Sequence, residues 1–248
     1  MEIAEHVEQM GVETQRVVDR LAVAGLDATV PTCPGWTLRD LAVHVGMAHR
    51  WAAAIIERRA VRSDDVTPLE ARGDVPPDEQ MADWVIDGQR HLAAVIAATP
   101  PATDFWRFMR NAPSSLAFWA RRQAHETAIH RVDAELAGDA VPPAALPLAF
   151  AADGVDELVL GFAPRYRPRG ITPATIHLGA TDVDRRWTVA LTDGIIEASD
   201  GIDGPADLRI EAPVNDLYLL LWNRGAADHA VLTGDPAALD SWRAAVAV

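Results

Sequence analysis

The sequence of 248 residues contains no lysine and only one cysteine. Without lysine, the chain can form neither a lysine Schiff base nor a Walker-type phosphate loop. A single cysteine cannot form an internal disulfide, which fits a reducing compartment. No apolar run approaches the roughly 18 residues of a membrane helix, and the acidic N-terminus does not resemble a signal peptide. We therefore expect a cytoplasmic protein that does not insert into a membrane.

Positive charge is scarce relative to negative charge. The chain has 22 basic and 36 acidic residues, a formal net charge of −14, and its arginines form no long run. Binding to the phosphates of nucleic acid requires a basic surface, so we expect no nucleic-acid partner. With 49% hydrophobic and 23% charged residues, the composition is that of an ordinary globular protein. A small-molecule ligand is favoured, and a monomer and a homodimer are both compatible with the sequence.

Apolar residues recur at helical spacing in the first half of the chain. The four segments that show this spacing are residues 2–26, 37–61, 81–96 and 114–137. Burial of their apolar stripes predicts an up-down four-helix bundle. A fifth helix is predicted over residues 148–162, so the first domain is placed at residues 1–163. The proline- and arginine-rich residues 164–173 are predicted to be a linker.

Residues 174–248 predict a small α+β domain with short strands. The segments with strand composition are residues 175–178, 187–191, 195–198 and 208–211. Asp193 and Gly194 predict a hairpin turn between the second and third strands, because glycine tolerates positive φ. Helices are predicted at residues 214–222 and 236–246. The whole chain is therefore expected to belong to the α+β class.

The predicted fourth helix of the bundle has polar residues on the face that should be buried. Its stripe at steps of three and four residues consists of Leu116, Trp119, Gln123, Glu126, His130 and Asp133. Burying a polar group without a partner costs roughly 2–7 kcal/mol, so Glu126 and His130 require compensation. The spacing leaves two alternatives open, which are a divalent metal ion and a hydrogen-bonded polar seam.

The second predicted helix offers a third ligand. Its apolar stripe includes His44, which therefore also points inward. One histidine from this helix, with Glu126 and His130 from the fourth, gives the three ligands of a zinc site that keeps one position open. His125 and His130 are five residues apart, unlike the histidines of an H-E-x-x-H helix. We therefore expect His125 to face a neighbouring residue or solvent.

Two segments of the bundle together resemble a known family. Residues 31–44, PTCPGWTLRDLAVH, and residues 125–133, HETAIHRVD, resemble the mycothiol-dependent maleylpyruvate isomerase family of actinobacteria, within the DinB-like superfamily. Residues 217–224, LYLLLWNR, and residues 232–236, LTGDP, resemble the small C-terminal domain of that family. The resemblance implies a DinB-like metal-binding helical bundle followed by a small α/β domain.

The resemblance also implies a cofactor and a reaction. A divalent metal, usually Zn²⁺, would be held by His44, Glu126 and His130, with mycothiol as the thiol co-substrate. A thiol at the open metal position is deprotonated at neutral pH. Its addition to a conjugated double bond permits rotation, and elimination returns the trans isomer. The same thiolate could attack another small electrophile, so a mycothiol S-transferase in detoxification or secondary metabolism and a non-catalytic metal-binding module remain alternatives.

Four further residues are candidates for roles near such a site. Asp133, one turn after His130, could orient a ligand or form a salt bridge at the helix end. Gln123, one turn before Glu126, could bind the cofactor or substrate or pair within the core. Arg224 could contact a substrate carboxylate or the C-terminus of its own helix. For Cys33, packing in a tight turn is favoured over action as a nucleophile.

Overall fold

A computed structural model describes residues 1–109, 112–139, 141–225 and 227–246 of the chain. Its contacts divide the chain into two compact units, Met1–Ala144 and Ala145–Val248. The first unit is helical, and its helices are α1 (Ile3–Ala24), α2 (Leu38–Glu57), α3 (Pro68–Arg72), α4 (Met81–Ala98) and α5 (Ser115–Glu135). A single 3₁₀ turn, Asp78–Gln80, precedes α4. The predicted α+β class, a helical bundle followed by a small α/β domain, is confirmed.

Side-chain caps fix where the two site-bearing helices begin. At the start of α2, the Thr37 hydroxyl accepts from the backbone N–H of Asp40, and the Asp40 carboxylate accepts from the N–H of Thr37. This is a capping box, which satisfies two helix N–H groups that otherwise lack partners. The Ser114 hydroxyl caps α5 by accepting from the N–H of Ala117.

Helices α1 and α5 run in the same direction. Glu13 on α1 pairs with Arg131 on α5 at 2.6 Å. Two turns further along α1, Arg20 donates to the carbonyl oxygen of Ala134. Arg131 also binds Glu135 at 2.6 Å, so its buried charge lies between two carboxylates. Such pairing is needed because an isolated buried charge is strongly destabilising.

Helices α2 and α4 are also parallel, and they approach closely at glycines. A Cβ atom on Gly46 of α2 would lie 2.1 Å from the ring of Trp84 on α4. A Cβ atom on Gly88 of α4 would lie 2.5 Å from the Arg50 guanidinium of α2. The Arg50 guanidinium stacks 3.9 Å from the centroid of the Trp84 ring and donates to the Trp84 carbonyl. The absence of side chains at the two glycines therefore makes room for the Trp84–Arg50 stack.

The direction of α2 relative to α5 completes the bundle. Trp51, late in α2, contacts Trp119, early in α5, whereas the earlier His44 contacts the later Glu126. The two helices are therefore antiparallel, and the four long helices run up, down, down and up, whereas the sequence analysis expected successive helices to alternate. Because α2 and α4 are parallel, the connection between them must return along the bundle. This connection includes the short helix α3, which the sequence analysis did not predict.

The second unit is a five-stranded sheet covered by helices. Its elements are α6 (Leu148–Asp156), β1 (Ala174–Ala180), β2 (Arg186–Thr192), β3 (Ile195–Asp200), β4 (Leu208–Ala212), α7 (Val214–Leu221), β5 (Val231–Gly234) and α8 (Ala237–Ala245). The strand order is β3-β2-β1-β4-β5, with β1 and β4 parallel and the other pairs antiparallel. Gly194 has φ 83° in the turn between β2 and β3, so the predicted hairpin is confirmed.

Two local features of the second unit differ from the sequence-based description. Strand β5 was not predicted, because all four of its residues are exposed and give no apolar alternation. The predicted helix over residues 148–162 changes form after Asp156, where a π-helical turn, Glu157–Phe162, replaces α6. Helix α6 packs against α7 within the second unit, so the division by contacts differs from the predicted domain boundary at residue 163.

Among the residues that the structure describes, every helix is too short or too polar to span a bilayer.

The close contact at Gly46 gives a test of the packing between α2 and α4. Gly46→Ala places a methyl group against a rigid indole ring, and overpacking of this kind costs about 1–3 kcal/mol. The matched control is Gly11→Ala on α1, where the nearest atom to the new Cβ is the flexible Gln89 Nε2 at 3.5 Å. That control should be neutral or more stable by up to about 1 kcal/mol, because alanine favours the helix. Urea unfolding of both variants measures the difference; equal effects would contradict this packing.

Candidate metal centre

Helices α2 and α5 bring His44, Glu126 and His130 together. The Glu126 Oε1 atom is 2.9 Å from His44 Nε2 and 3.4 Å from His130 Nε2. One potential ligand atom from each residue lies within 4.8 Å of the other two. Glu126 and His130 share one face of α5 because four residues make about one helical turn. The side chains of His44 and Glu126 keep 28% and 26% of their surface exposed, so the cluster is open to solvent on one side.

The spacing of these atoms fits a divalent ion such as Zn²⁺. Imidazole nitrogens and carboxylate oxygens are zinc ligands, and atoms bound tetrahedrally to one zinc ion lie roughly 3.3–3.5 Å apart. The distances of 2.9 and 3.4 Å from Glu126 Oε1 are close to that value. Three protein donors would leave one position for an exogenous ligand. The residues present therefore fit the metal that the sequence resemblance implies.

Asp133 fixes the orientation of His130. Its side chain is fully buried, and its Oδ2 atom accepts from His130 Nδ1 at 2.9 Å. The other oxygen, Oδ1, accepts from the Thr32 hydroxyl at 2.5 Å. Cys33 Sγ lies 3.5 Å from Oδ2, so Asp133 also holds the loop before α2 against α5. A carboxylate on the far nitrogen of a metal-binding histidine turns the near nitrogen toward the ion.

Cys33, His130 and Asp133 also form a second group with potential ligand atoms. This group shares His130 with the first, and both oxygens of Asp133 already accept hydrogen bonds. The sequence analysis favoured a packing role for Cys33 and did not reveal its contact with Asp133. That contact depends on how the loop folds back on α5, which residue spacing along one helix cannot show.

Trp36 covers one side of the cluster. Its ring is stacked on the ring of His130, with an interplanar angle of 22° and centroids 6.2 Å apart. The centroid of the His44 ring is 5.1 Å from that of Trp36. Trp36 belongs to the same loop as Thr32 and Cys33, so the Asp133 contacts also place the indole beside both histidines.

Arg122 is a residue of this site that the sequence analysis missed. It lies one turn before Glu126 on α5, and its Nη2 atom donates to Glu126 Oε2 at 2.7 Å. Its side chain is only 4% exposed. The sequence did contain a signal for this contact. Arg122 lies four residues before the inward-facing Glu126, and residues at this spacing meet on one face of a helix.

A hydrogen-bonded chain lies beside the cluster in the bundle interior. His49 Nε2 is 2.8 Å from the Thr127 hydroxyl, which is 2.7 Å from the backbone carbonyl of Gln123. The hydroxyl must donate to the carbonyl and therefore accepts from His49. Burial lowers the pKa of His49 to about 3, so the imidazole is neutral. The side-chain oxygen of Gln123 is buried and accepts no hydrogen bond from the described residues.

The charges of Glu126 and His130 support each other. Burial opposes ionisation of Glu126, but Arg122 and the hydrogen bonds from His130 and His44 hold its pKa well below the usual range. Burial likewise opposes the charge of His130, but hydrogen bonds to Asp133, Cys33 and Glu126 raise its pKa well above the usual range. Without a metal ion, the raised pKa therefore favours a proton on both ring nitrogens of His130. A metal ion at Nε2 must displace one of these protons.

Two other residues named from the sequence have contacts of their own. Arg224 follows α7 in the second unit, where its Nη1 atom donates to the carbonyl of Trp222 at 2.8 Å. Its role in binding substrate stays a prediction, as does the role of Gln123 in binding a cofactor. His125 is fully buried, and its ring contacts that of His6 with centroids 6.0 Å apart.

Comparison with known proteins assigns the family. The family model described as the mycothiol maleylpyruvate isomerase N-terminal domain matches residues 7–135, and the model described as the MDMPI C-terminal domain matches residues 149–241. The chain belongs to the mycothiol-dependent maleylpyruvate isomerase family. The family named from the sequence motifs is thereby confirmed.

Solved structures show that this family member also shares the fold. The crystal structure of a mycothiol-dependent maleylpyruvate isomerase matches with a TM-score of 0.62 and 12% identity, over 94% of this chain and 93% of that chain. A crystal structure of a histidine-to-alanine mutant of a mycothiol-dependent maleylpyruvate isomerase matches with the same values. No curated protein sequence matches the chain.

The raised pKa of His130 predicts how the stability of this family member depends on pH without metal. Because the pKa is higher in the folded chain than in the unfolded chain, the stabilisation is complete below about pH 6.5 and is lost as the pH rises through the folded pKa. The loss can reach about 1.4 kcal/mol per pH unit. Urea unfolding in EDTA at several pH values measures it.

Asp133→Asn is the matched variant for this test, because asparagine keeps the shape of the side chain but removes its charge. The dependence on pH above 6.5 should become weaker in the variant, since a neutral amide stabilises the imidazolium less. Parallel curves for wild type and variant would contradict the assignment of the proton to His130.

Proposed function

We propose that this chain is a metal-dependent enzyme that activates the thiol of mycothiol and catalyses cis–trans isomerisation of maleylpyruvate or a similar small electrophile. The metal, with zinc favoured, would be held by His44, Glu126 and His130. The observation that carries the proposal is that His44 and His130 converge on one carboxylate oxygen of Glu126, while the side chains of His44 and Glu126 are partly exposed. The membership of the family supports the choice of thiol and substrate.

The chemistry needs a thiol that is ionised at neutral pH. When bound, a divalent metal lowers the pKa of a thiol placed at its open position. No catalytic cysteine of the protein is required for this step. The thiol sulfur adds to the conjugated double bond of the substrate, which leaves a single bond that can rotate. Elimination of the thiol then restores the double bond in the trans form, so the thiol is not consumed.

The protein residues around the cluster have separate tasks in this proposal. Asp133 accepts a hydrogen bond from Nδ1 of His130, which leaves Nε2 of His130 facing Glu126. The indole of Trp36 forms an apolar wall beside both histidines. Such a wall limits access of water to the thiol and provides a flat surface for an unsaturated substrate. Gln123 and Arg224 are each proposed to bind the substrate or the thiol, separately from the metal ligands.

The metal assignment is tested by metal content per chain. His44→Ala, Glu126→Ala and His130→Ala should each lose most of a zinc ion that wild type retains after dialysis, because each variant lacks one of three ligands. Asp133→Asn should weaken zinc affinity about 10–100-fold, since it removes the partner that orients a ligand. His91→Ala is the matched control, because His91 is an exposed histidine that pairs only weakly with Glu57 at 3.4 Å.

Mass spectrometry of metals, with circular dichroism to verify folding, gives the result. Folded variants that keep one zinc ion per chain would overturn the ligand assignment. Metal-free wild type that cannot be reloaded would instead favour a hydrogen-bonded polar seam.

The reaction type is tested by following thiol and product together. Zinc-loaded protein with mycothiol should convert many equivalents of maleylpyruvate to the trans isomer while the concentration of free thiol stays constant, because elimination returns the thiol. Glu126→Ala should lose at least about 100-fold in kcat/KM, which corresponds to about 2.7 kcal/mol of transition-state stabilisation. Stoichiometric loss of thiol would identify an S-transferase, and a metal-loaded protein without turnover would identify a binding module.

A further inference from the structure

The two oxygens of the Glu126 carboxylate have different partners. Oε2 accepts from the Nη2 atom of Arg122 at 2.7 Å. Oε1 faces the two histidines, at 2.9 Å from His44 Nε2 and 3.4 Å from His130 Nε2. One carboxylate oxygen therefore faces the buried Arg122, and the other faces the candidate metal position.

Arg122 can hold the Glu126 carboxylate in this orientation because the arginine is buried. Its side chain is 4% exposed and lies on the same face of α5 as Glu126. A hydrogen bond between a guanidinium and a carboxylate is about twice as strong as a neutral one, and burial leaves little water to replace it. Turning Glu126 so that both oxygens face a metal ion would break this bond and leave a buried arginine without that partner.

We propose that Arg122 restricts Glu126 to binding the metal ion through Oε1 alone, and so selects an ion that accepts few ligands, such as Zn²⁺, over ions that prefer more oxygen ligands, such as Mn²⁺. This inference rests on the proposed function. Zinc is commonly four-coordinate with one oxygen per carboxylate, whereas harder ions take more oxygen ligands. Arg122 is thus a positioning residue that acts through Glu126.

The charge of Arg122 has a second consequence for the incoming ligand. Glu126 and Asp133 contribute two negative charges beside the metal position, and Arg122 contributes one positive charge. With a divalent ion bound, these groups sum to a single positive charge, so one anionic ligand makes the site neutral. Without Arg122 the same groups would sum to zero before an anion binds. Arg122 therefore favours an anionic ligand, such as a thiolate, at the open position.

Cobalt(II) in place of zinc gives a readout that does not depend on catalysis. Four-coordinate Co²⁺ absorbs visible light much more strongly than five- or six-coordinate Co²⁺. Wild type loaded with Co²⁺ should show the intense bands, and R122M should show weaker bands because both oxygens of Glu126 become available. The preference for Zn²⁺ over Mn²⁺, measured by competition, should fall about tenfold in R122M.

Azide serves as the anionic probe for the charge effect. Its dissociation constant for the Co²⁺ form should rise about tenfold in R122M, as expected from the loss of a nearby unit charge. R122K keeps the charge and one donor, so it should keep the wild-type affinity for azide. R39M is the matched control, because it also removes one positive charge. Arg39 pairs with Asp78 on the surface and lies outside the cluster contacts.

Folding of each variant is verified by circular dichroism. If R122M does not fold, R122Q performs the same test, because its amide is neutral and can donate only a weaker hydrogen bond to Oε2. The inference would be overturned if a folded, neutral variant kept the bands, the metal preference and the azide affinity of wild type. The proposed function would then remain intact. Wild type that binds neither Co²⁺ nor Zn²⁺ would overturn both.

Discussion

The ionic contacts of the Glu126 carboxylate are the constraint on which the site depends. One oxygen is held by Arg122 from the same helix, and the other faces His44 from α2 and His130 from α5. A carboxylate in this position is stable only if positive or hydrogen-bonding groups surround it, because desolvation of an unpaired charge is costly. The residues that satisfy Glu126 are also the residues that offer metal ligands, so the stability of α5 and the chemistry of the site have a common origin.

Helix α5 is unusual because 8 of its 17 buried residues are polar or charged. The buried members include Arg122, Gln123, His125, Thr127, Arg131 and Asp133. Three of these buried polar groups are compensated by different partners. Glu13 and Glu135 compensate Arg131, Thr32 and His130 compensate Asp133, and His49 compensates Thr127. Glu13, Thr32 and His49 lie on α1, in the loop before α2 and on α2, so burial of α5 depends on its packing against these elements.

The sequence predicted the long helices, four of the strands and the convergence of His44 with Glu126 and His130, because periodicity and steps of three and four residues are local properties. It did not predict β5, whose four exposed residues lack an alternating pattern and which is defined by its pairing with β4. It also missed Arg122, although its four-residue spacing to Glu126 was an available signal, and the contact of Cys33 with Asp133. That contact depends on the return of a loop onto α5, which spacing along one helix does not specify.

The sequence by itself determined the family, the fold class and the types of side chain that a metal site would use, since these follow from motifs and from the burial of apolar stripes. Only the tertiary structure decided that the helices run up, down, down and up, that Trp36 stacks on His130, and that the two oxygens of Glu126 have separate partners. The physical reason is that these features depend on contacts between residues far apart in the chain, such as His44 with Glu126 and Trp36 with His130. In such contacts, a difference of a few ångströms decides which atom faces which.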